Sequence, residues 1–353
     1  MLERYFDNAA TTPVDPRVRE AMLPFLGEDF GNANSIHAWG RRAADAVETA
    51  RGQVARALGA EDPSQIVFTS GATEGNNWVL TSFAHGTVSP FEHSSVREAA
   101  AFLGFDVLPN EGLRLGTPRE AGGFISVMAV NNEIGSRFDF GGVRQSAKVL
   151  HSDITQAAAK YAVDLGPLDY ATLSAHKFYG PKGVGALYAR DAPLPPMLHG
   201  GEHEHGQRSG TLNVPGIVGM GAAAAVAAER REIDAAHAAR LGEIVLEEVR
   251  RVPHHRVNGG DDRAPHILSI SFAGVLGEAL VVEVDAAGYG ISSGAACSSH
   301  STEPSHVLRA LRIPPEWMRG TIRISFGRFN TADAAYGLGA ALRKAVTTLR
   351  SLS

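Results

Sequence analysis

The chain has 353 residues, of which 44% are hydrophobic and 20% are charged, and its formal net charge is −5. A chain of this size and apolar content can bury a large core, which excludes intrinsic disorder and predicts one large domain with a smaller one. No run of Lys or Arg is long enough to follow a nucleic-acid backbone, so no direct nucleic-acid role is expected. No apolar stretch approaches about 20 residues, and residues 1–12 lack the basic and then apolar order of a signal peptide. We therefore expect a cytoplasmic protein without a membrane span.

The first informative element is a short strand that leads into a glycine-containing turn. Residues 66–69 are strand-like, and residues 70–77 (Ser-Gly-Ala-Thr-Glu-Gly-Asn-Asn) run directly into a predicted helix. The first N–H groups of a helix have no intrahelical partner, so a phosphate group fits at this point. Gly71 lets the backbone approach closely, and Thr73 adds a hydroxyl. The alternative is an ordinary strand-to-helix turn.

A second strand is predicted over residues 147–150, and it places a carboxylate where the strand ends. The residues that follow are His-Ser-Asp-Ile-Thr-Gln, so Asp153 comes directly after the apolar run. A buried aspartate can keep the ring nitrogen of pyridoxal phosphate protonated, which makes that cofactor an electron sink. The alternative is that Asp153 caps a helix beginning near Gln156.

The third element is a lysine among small and turn-forming residues. Lys177 follows the apolar residues 168–173 and precedes Gly180 and Pro181, which predicts a tight loop at a strand end. A partly desolvated amine near other cations becomes a nucleophile that can form an imine with an aldehyde such as pyridoxal phosphate. An isolated lysine is more often solvated, so Lys177 is not decisive alone.

The rest of the chain predicts scaffold and one further chemical centre. Residues 220–240 form a predicted long helix. In the C-terminal third, residues 267–272, 280–284 and 322–326 are predicted strands or apolar helices. The other elements there are residues 307–311 and a predicted tail helix over residues 332–352. Cys297, the single cysteine, lies among serine, glycine and alanine residues. A lone cysteine is more often buried and inert, but these neighbours favour an accessible loop and a nucleophile. A thiol peroxidase is disfavoured because no second cysteine can resolve the first.

One segment suggests a metal site. Residues 199–205 (His-Gly-Gly-Glu-His-Glu-His) alternate histidines and carboxylates, and histidines two apart on a strand face the same way. A metal site is the less favoured interpretation of this segment, so no metal is predicted.

Seven motifs together resemble the cysteine desulfurases, and more narrowly the branch that serves iron-sulfur cluster and nitrogenase assembly. That branch belongs to the class V aminotransferase family. The resemblance runs from residues 7–13 to residues 323–329, nearly the whole chain. The motifs are residues 69–74, Glu92-His93, residues 130–135, Asp153 with Gln156, the Lys177 loop, residues 208–211 and residues 292–297.

The resemblance implies the fold type I of pyridoxal-phosphate-dependent transferases, an α/β fold. Its large domain, with a mostly parallel seven-stranded sheet, would span residues 13–235. Residues 1–12 and 236–353 would form a smaller α/β domain that carries the Cys297 loop. Segments 78–92 and 110–124 are shorter than in typical members, which bears on partner choice rather than on the chemistry.

The resemblance also implies a role for each site residue. Lys177 would carry the cofactor, Cys297 would take sulfur from L-cysteine to form a persulfide, and His93 would stack on the cofactor ring and assist proton transfer. Arg323 would bind the substrate carboxylate, and its alternative is a charge on an edge strand. Asn132 and Gln156 would contact the ring oxygen, Asn132 would also contact substrate, and Asp153 would pair with the ring nitrogen. The phosphate ligands would be Ala72, Thr73, Ser174 and His176, with Thr211 donated by the neighbouring subunit of a homodimer.

The implied reaction converts L-cysteine into L-alanine and passes sulfur to an acceptor protein. That acceptor would be a cluster scaffold or a tRNA-thiolating enzyme. Two rival interpretations remain at this point. The chain could be a selenocysteine lyase or an aminotransferase on the same scaffold, or a catalytically silent binding module, although Cys297 disfavours a plain aminotransferase and Lys177 disfavours a silent module.

Overall fold

The computed structural model describes residues 1–191, 193–294 and 305–352. In these ranges the helices are α1 (Pro16–Met22), α2 (Ala38–Leu58), α3 (Ala72–Thr81), α4 (Ser94–Leu103), α5 (Gly141–Arg144), α6 (Val214–Val249), α7 (Gly277–Ala286), α8 (His306–Ala310), α9 (Pro315–Met318) and α10 (Ala332–Ser351). The strands are β1 (Ile66–Thr69), β2 (Gly86–Val88), β3 (Asp106–Val107), β4 (Asn110–Glu111), β5 (Arg114–Leu115), β6 (Gly123–Ser126), β7 (Ala147–Asp153), β8 (Tyr170–Ser174), β9 (Gly185–Ala189), β10 (His255–Val257), β11 (Ile267–Phe272), β12 (Ser292–Ser293) and β13 (Thr321–Ser325).

The larger sheet has seven strands in the order β1-β9-β8-β7-β6-β2-β3. Strand β9 runs antiparallel to both of its neighbours, and the pairs from β8 to β3 are parallel. The prediction of an α/β fold with a mostly parallel seven-stranded sheet is therefore confirmed. Parallel strands end at one edge of a sheet, so the segments that follow β7 and β8 come together there.

The smaller sheet has four antiparallel strands in the order β10-β11-β13-β12. The N-terminal segment joins this sheet, because Asp7 forms a parallel bridge with Ser325 and Phe6 is buried in the core beside it. Strand β13 lies between β11 and β12, so a side chain on it is not at the sheet edge.

Helix α6 connects the two cores of the molecule. Its buried residues up to Ala227 pack in the core around the large sheet, and those from Ala238 pack in the core around the small sheet. Residues 228–237 contain no buried residue. The division predicted near residue 235 falls in this stretch and stays a prediction.

Local sequence explains where the helices beside the large sheet begin and end. Gly59 and Gly104 follow α2 and α4 with φ of 78° and 72°, in the left-handed region that glycine adopts without strain. His93 precedes α4, and its ring nitrogen accepts a hydrogen bond from the backbone N–H of Ser95. The start of α4 therefore fixes the His93 side chain.

Most predicted elements are present. Residues 280–284, left open between strand and helix, lie in α7. The helix considered near Gln156 is absent, since residues 154–160 form successive turns and Ala159 has φ of 60°. Among the described residues, none of the helices has both the length and the apolar character needed to cross a bilayer.

Candidate active site

A cavity of about 330 Å³ lies where β7 and β8 end, and it is large enough for a small cofactor. Ten of the predicted site residues line it together. They are Ala72, Thr73, His93, Asn132, Asp153, Gln156, Ser174, His176, Lys177 and Arg323. Thr211 is exposed and does not line this cavity, and Cys297 lies outside the described residues.

Lys177 ends a single helical turn, Ala175–Lys177, that directly follows β8. Its Nζ donates hydrogen bonds to the carbonyl oxygens of Ala9 and Ala10, at 2.8 and 2.7 Å. The Gln156 amide donates to the same Ala9 oxygen at 2.9 Å. The N-terminal segment therefore forms one wall of the site and holds the lysine within it.

Asp153 is buried at the end of β7, with both carboxylate oxygens engaged. Its Oδ2 accepts from the Asn76 amide at 2.8 Å, and its Oδ1 accepts from the backbone N–H of Thr155 at 2.9 Å. These bonds fix the orientation of the carboxylate. The predicted alternative, a cap on a helix near Gln156, is wrong because no helix starts there.

A fully buried histidine lies behind Asp153. The Thr172 hydroxyl donates to the Asn76 amide oxygen, and His151 lies within 3.4 Å of that hydroxyl. Burial lowers the pKa of His151 to about 4, although the nearby Asp153 charge opposes this shift. His151 is therefore neutral at pH 7.

The start of α3 forms the predicted phosphate cradle. The residue before the helix, Gly71, makes no side-chain capping hydrogen bond, and the N–H of Ala72 donates to Ser174 Oγ at 2.7 Å. A Cβ on Gly185 would lie 2.6 Å from the Cα of Gly71, so glycine is required for β9 to pack against this turn. The positive end of the helix dipole and the Thr73 hydroxyl face the cavity as a set suited to a dianion.

His93 also lines the cavity. Burial lowers the pKa of His93, and the Lys177 charge acts in the same direction, whereas Asp153 opposes both. Since Nδ1 accepts from Ser95 N at 3.2 Å, the neutral ring carries its proton on Nε2. The alternative of a solvated histidine at a helix start is wrong, because this ring is partly buried in the cavity wall.

His176 is also neutral at pH 7. Burial lowers its pKa to about 4, and the charges of Lys177, Lys182 and Lys160 add to that effect. Its Nδ1 lies 3.1 Å from the Thr11 hydroxyl. When that hydroxyl donates, Nε2 carries the ring proton and can itself donate to an anion.

Arg323 is buried on β13, so the alternative of an edge-strand charge is wrong. One terminal nitrogen donates to Asp7 at 2.7 Å, and the other donates to the backbone oxygen of Asn132 at 2.9 Å. Its Nε is buried without a hydrogen-bond partner among the described residues. A guanidinium with donor capacity left over in a cavity wall is suited to a ligand carboxylate.

Sequence reasoning missed Asn76 and Asp7. Asn76 lies one helical turn after Ala72, so the helical repeat of α3 could have placed it on the cavity side. Asp7 had no such signal, because its partner Arg323 is 316 residues away in the chain.

The histidine-rich segment 199–205 does not form a metal site in the part of the chain that the structure describes. Glu204 is buried, pairs with Arg51 through two contacts of 2.8 Å and accepts from the backbone N–H of Phe68 at 2.7 Å. This segment therefore braces β1, the strand that leads into the phosphate cradle.

Solved structures of other proteins share this architecture. A NifS-like protein superposes with a TM-score of 0.89 at 34% identity, covering 98% of this chain and 100% of that chain. DndA from Streptomyces lividans superposes with a TM-score of 0.75 at 34% identity, covering 90% of this chain and 98% of that chain.

Sequence comparison gives the same family. The aminotransferase class-V family model matches residues 4–335. Cysteine desulfurase IscS from Neisseria meningitidis serogroup C is 42% identical over 99% of this chain and 93% of that protein. IscS from Vibrio vulnificus is 43% identical over 99% of this chain and 94% of that protein. The chain belongs to the class V aminotransferase family and, within it, to the cysteine desulfurases.

Proposed function

We propose that this chain is a pyridoxal-phosphate-dependent cysteine desulfurase that converts L-cysteine into L-alanine and passes the sulfur on through Cys297. The observation that carries the proposal is the convergence of Lys177, Asp153, His93 and the open start of α3 on one cavity. An amine, a carboxylate, an imidazole and a phosphate cradle are the groups that this cofactor requires.

The donor set fits the cofactor. The start of α3 with Thr73, Ser174 and His176 would hold the phosphate, Asp153 would pair with the ring nitrogen, and Lys177 would hold the aldehyde carbon. Asn132 and Gln156 would contact the ring oxygen, and His93 would cover the ring. When bound, pyridoxal phosphate supplies an electron sink that stabilises negative charge on the substrate.

Residues of the chain itself bind the substrate and transfer protons. Arg323 binds the carboxylate of L-cysteine, which orients the amino acid in the cavity. The Lys177 amine, once released, takes the proton from the substrate Cα. His93, with its proton on Nε2, serves as a second proton carrier, and Asp153 is held in place by two N–H groups that donate to its oxygens.

Cys297 is the sulfur acceptor in this proposal. Its thiolate attacks the sulfur of L-cysteine, so the carbon–sulfur bond of the substrate breaks and a sulfur–sulfur bond forms on the enzyme. The carbon skeleton keeps the electron pair, gains a proton and leaves as L-alanine. The persulfide is then transferred to an external acceptor protein, either a cluster scaffold or a tRNA-thiolating enzyme, because the chain has no second cysteine.

We also propose that the enzyme is a homodimer, with Thr211 reaching the site of the partner subunit. Thr211 is exposed and away from its own chain's cavity. Large apolar side chains near the N-terminus are exposed as well, with exposed fractions of 74% for Phe30 and 91% for Ile36. A subunit interface would cover them.

Two variants test the proposed function. Purified Cys297→Ala should keep the visible absorbance of the bound cofactor but form neither persulfide nor sulfide from L-cysteine. Lys177→Ala should lose that absorbance. Lys148→Ala, an exposed lysine on β7, is the matched control and should behave like the wild type.

Full sulfide production by Cys297→Ala would contradict the role of the cysteine. Alanine formation from L-cysteine, from selenocysteine and in the presence of a keto acid separates the proposed reaction from a selenocysteine lyase and from an aminotransferase. A colourless wild-type protein that cannot be loaded with pyridoxal phosphate would contradict the proposed function as a whole.

A further inference from the structure

Three polar side chains lie behind Gln156, and none of them lines the active-site cavity. Lys160 Nζ is 3.3 Å from Gln156 Oε1, and His266 Nε2 is 3.4 Å from the same oxygen. The Tyr161 hydroxyl is 2.9 Å from His266 Nδ1. Lys160, Tyr161 and His266 instead line a separate small cavity of about 40 Å³.

The two neighbours of the Gln156 amide determine which way it faces. The carbonyl oxygen of Ala9 can only accept a hydrogen bond, so the amide atom 2.9 Å from it is the NH₂ group. Burial lowers the pKa of Lys160 to about 7, and the protonated form of its amine can only donate, so the amide atom that faces this form is the oxygen. An amide flip would oppose oxygen to oxygen and NH₂ to ammonium, which disfavours the alternative orientation.

The protonation of His266 supports the same orientation. Burial lowers the pKa of His266 well below its ordinary value, and the charges of Lys160 and Arg323 act in the same direction, so the ring is neutral. Burial raises the pKa of the Tyr161 phenol, which therefore keeps its proton and can donate it to His266 Nδ1. His266 must then carry its own proton on Nε2, where it points at the Gln156 oxygen.

The backbone beside Lys160 is also held in an unfavourable conformation. Ala159 has φ of 60°, a left-handed conformation that is unfavourable for a residue other than glycine. Hydrogen bonds from Lys160 N and Tyr161 N, both 3.0 Å from the Ala157 oxygen, close the turn. A strained turn persists only where surrounding contacts compensate for it. This turn places the Lys160 side chain beside Gln156.

We propose that Lys160 and His266 are positioning residues that fix the Gln156 amide with its second N–H hydrogen available to the cavity. Resting on the proposed function, this makes Gln156 a hydrogen-bond donor, and never an acceptor, toward the ring oxygen of pyridoxal phosphate. A donor stabilises the anionic form of that oxygen. The visible absorbance of the bound cofactor should therefore change with pH at a lower midpoint than it would without this donor.

The test measures cofactor binding and the cofactor spectrum in a double-mutant cycle. Lys160→Met, Gln156→Met and the double variant are compared with the wild type and with Lys148→Met, which removes an exposed lysine from β7. Two quantities are measured without substrate: the dissociation constant of pyridoxal phosphate, and the pH midpoint of the visible absorbance change.

In the Gln156 background, Lys160→Met should weaken cofactor binding about fivefold, as expected for one lost hydrogen bond, and should raise the pH midpoint. In the Gln156→Met background, the same Lys160 substitution should change the dissociation constant by less than about twofold. Equal effects in both backgrounds, or no effect in either, would overturn the positioning role.

Tyr161→Phe supplies an independent variant that keeps a packed ring. It leaves His266 free to change tautomer, so the pH midpoint should shift in the same direction by a smaller amount. An unchanged midpoint contradicts the role of His266.

A wild-type protein that binds no cofactor contradicts the proposed function. A wild type that binds, with an unaltered Lys160→Met variant, contradicts only the positioning role.

Discussion

Arg323 and Asp7 form a 2.7 Å ion pair beside the cavity, although 316 residues separate them in the chain. The pair ties the N-terminal segment to β13, and it leaves Arg323 with unused hydrogen-bond donors. The residue proposed to bind substrate is thereby held in place before substrate arrives, which lowers the entropy cost of binding.

Replacing Arg323 with Lys should raise the KM for L-cysteine about tenfold or more, because an ammonium cannot make the two parallel hydrogen bonds of a guanidinium. Steady-state alanine formation measures the change, and the cofactor absorbance should stay as in the wild type. Arg137→Lys, where the side chain is 48% exposed, is the matched control. An unchanged KM in Arg323→Lys would exclude Arg323 as the carboxylate ligand.

Replacing Asn76 with Ala should weaken cofactor binding and lower kcat. The substitution removes the 2.8 Å hydrogen bond to Asp153 Oδ2, and a hydrogen bond to a buried charge is worth about 1.5–3 kcal/mol. Equilibrium dialysis of pyridoxal phosphate and alanine assays measure both effects, with an expected loss of about tenfold or more in binding. Asn110→Ala, on the β4–β5 hairpin, is the control, and equal behaviour of the two variants would contradict the role of Asn76.

His151 should make stability fall with falling pH. Its pKa is about 4 in the folded chain against 6.5 for the ordinary imidazole, so below pH 6.5 the unfolded chain binds a proton that the folded chain does not. Stability from this group is therefore complete above pH 6.5 and is lost as the pH falls toward 4.

His151→Gln removes that contribution. Urea unfolding at pH 7 and pH 5 should show that the wild type loses about 2 kcal/mol more than the variant over this interval. His85→Gln, at an exposed histidine, should lose as much as the wild type. A His151→Gln variant with the full pH dependence would show that the buried ring does not titrate as described.

Mixing Thr211→Ala chains with Lys177→Ala chains tests whether Thr211 acts in the partner's site. In a mixed dimer of Thr211→Ala and Lys177→Ala chains, one site carries both defects, and the other has intact Lys177 and receives intact Thr211. Refolding the two variants together should therefore recover activity in up to about a quarter of all sites, since half of the dimers are mixed and each has one intact site. No recovery in a dimer shown to be mixed would mean that Thr211 acts within its own chain.

Local patterns predicted the elements that local sequence determines. The apolar run Ile66–Thr69 is β1, the run Ile267–Phe272 is β11, and both match the predicted bounds. The turn after β1 leads into α3 as expected. These features depend on neighbours within a few residues.

Contacts between distant residues could not be predicted from one sequence. Tyr161 and His266 are 105 residues apart, and nothing in either neighbourhood indicates that they meet. The alanines that follow Gln156 favour a helix by propensity, yet Ala159 adopts a left-handed conformation and the chain turns back instead. The tertiary contacts of Lys160 and His266 with Gln156 accompany that reversal.

Helix α6 extends for 36 residues, about 54 Å, and its midsection at 228–237 has no buried residue. Arg231 donates to the Ala57 oxygen and Asp234 pairs with Arg328, but no residue of the midsection is buried, so it should exchange amide hydrogens sooner than the two flanking parts. Glu232→Pro, at an exposed position, would break the helix between the two cores. A persulfide-transfer assay of this variant would test whether the proposed sulfur transfer requires an unbroken α6.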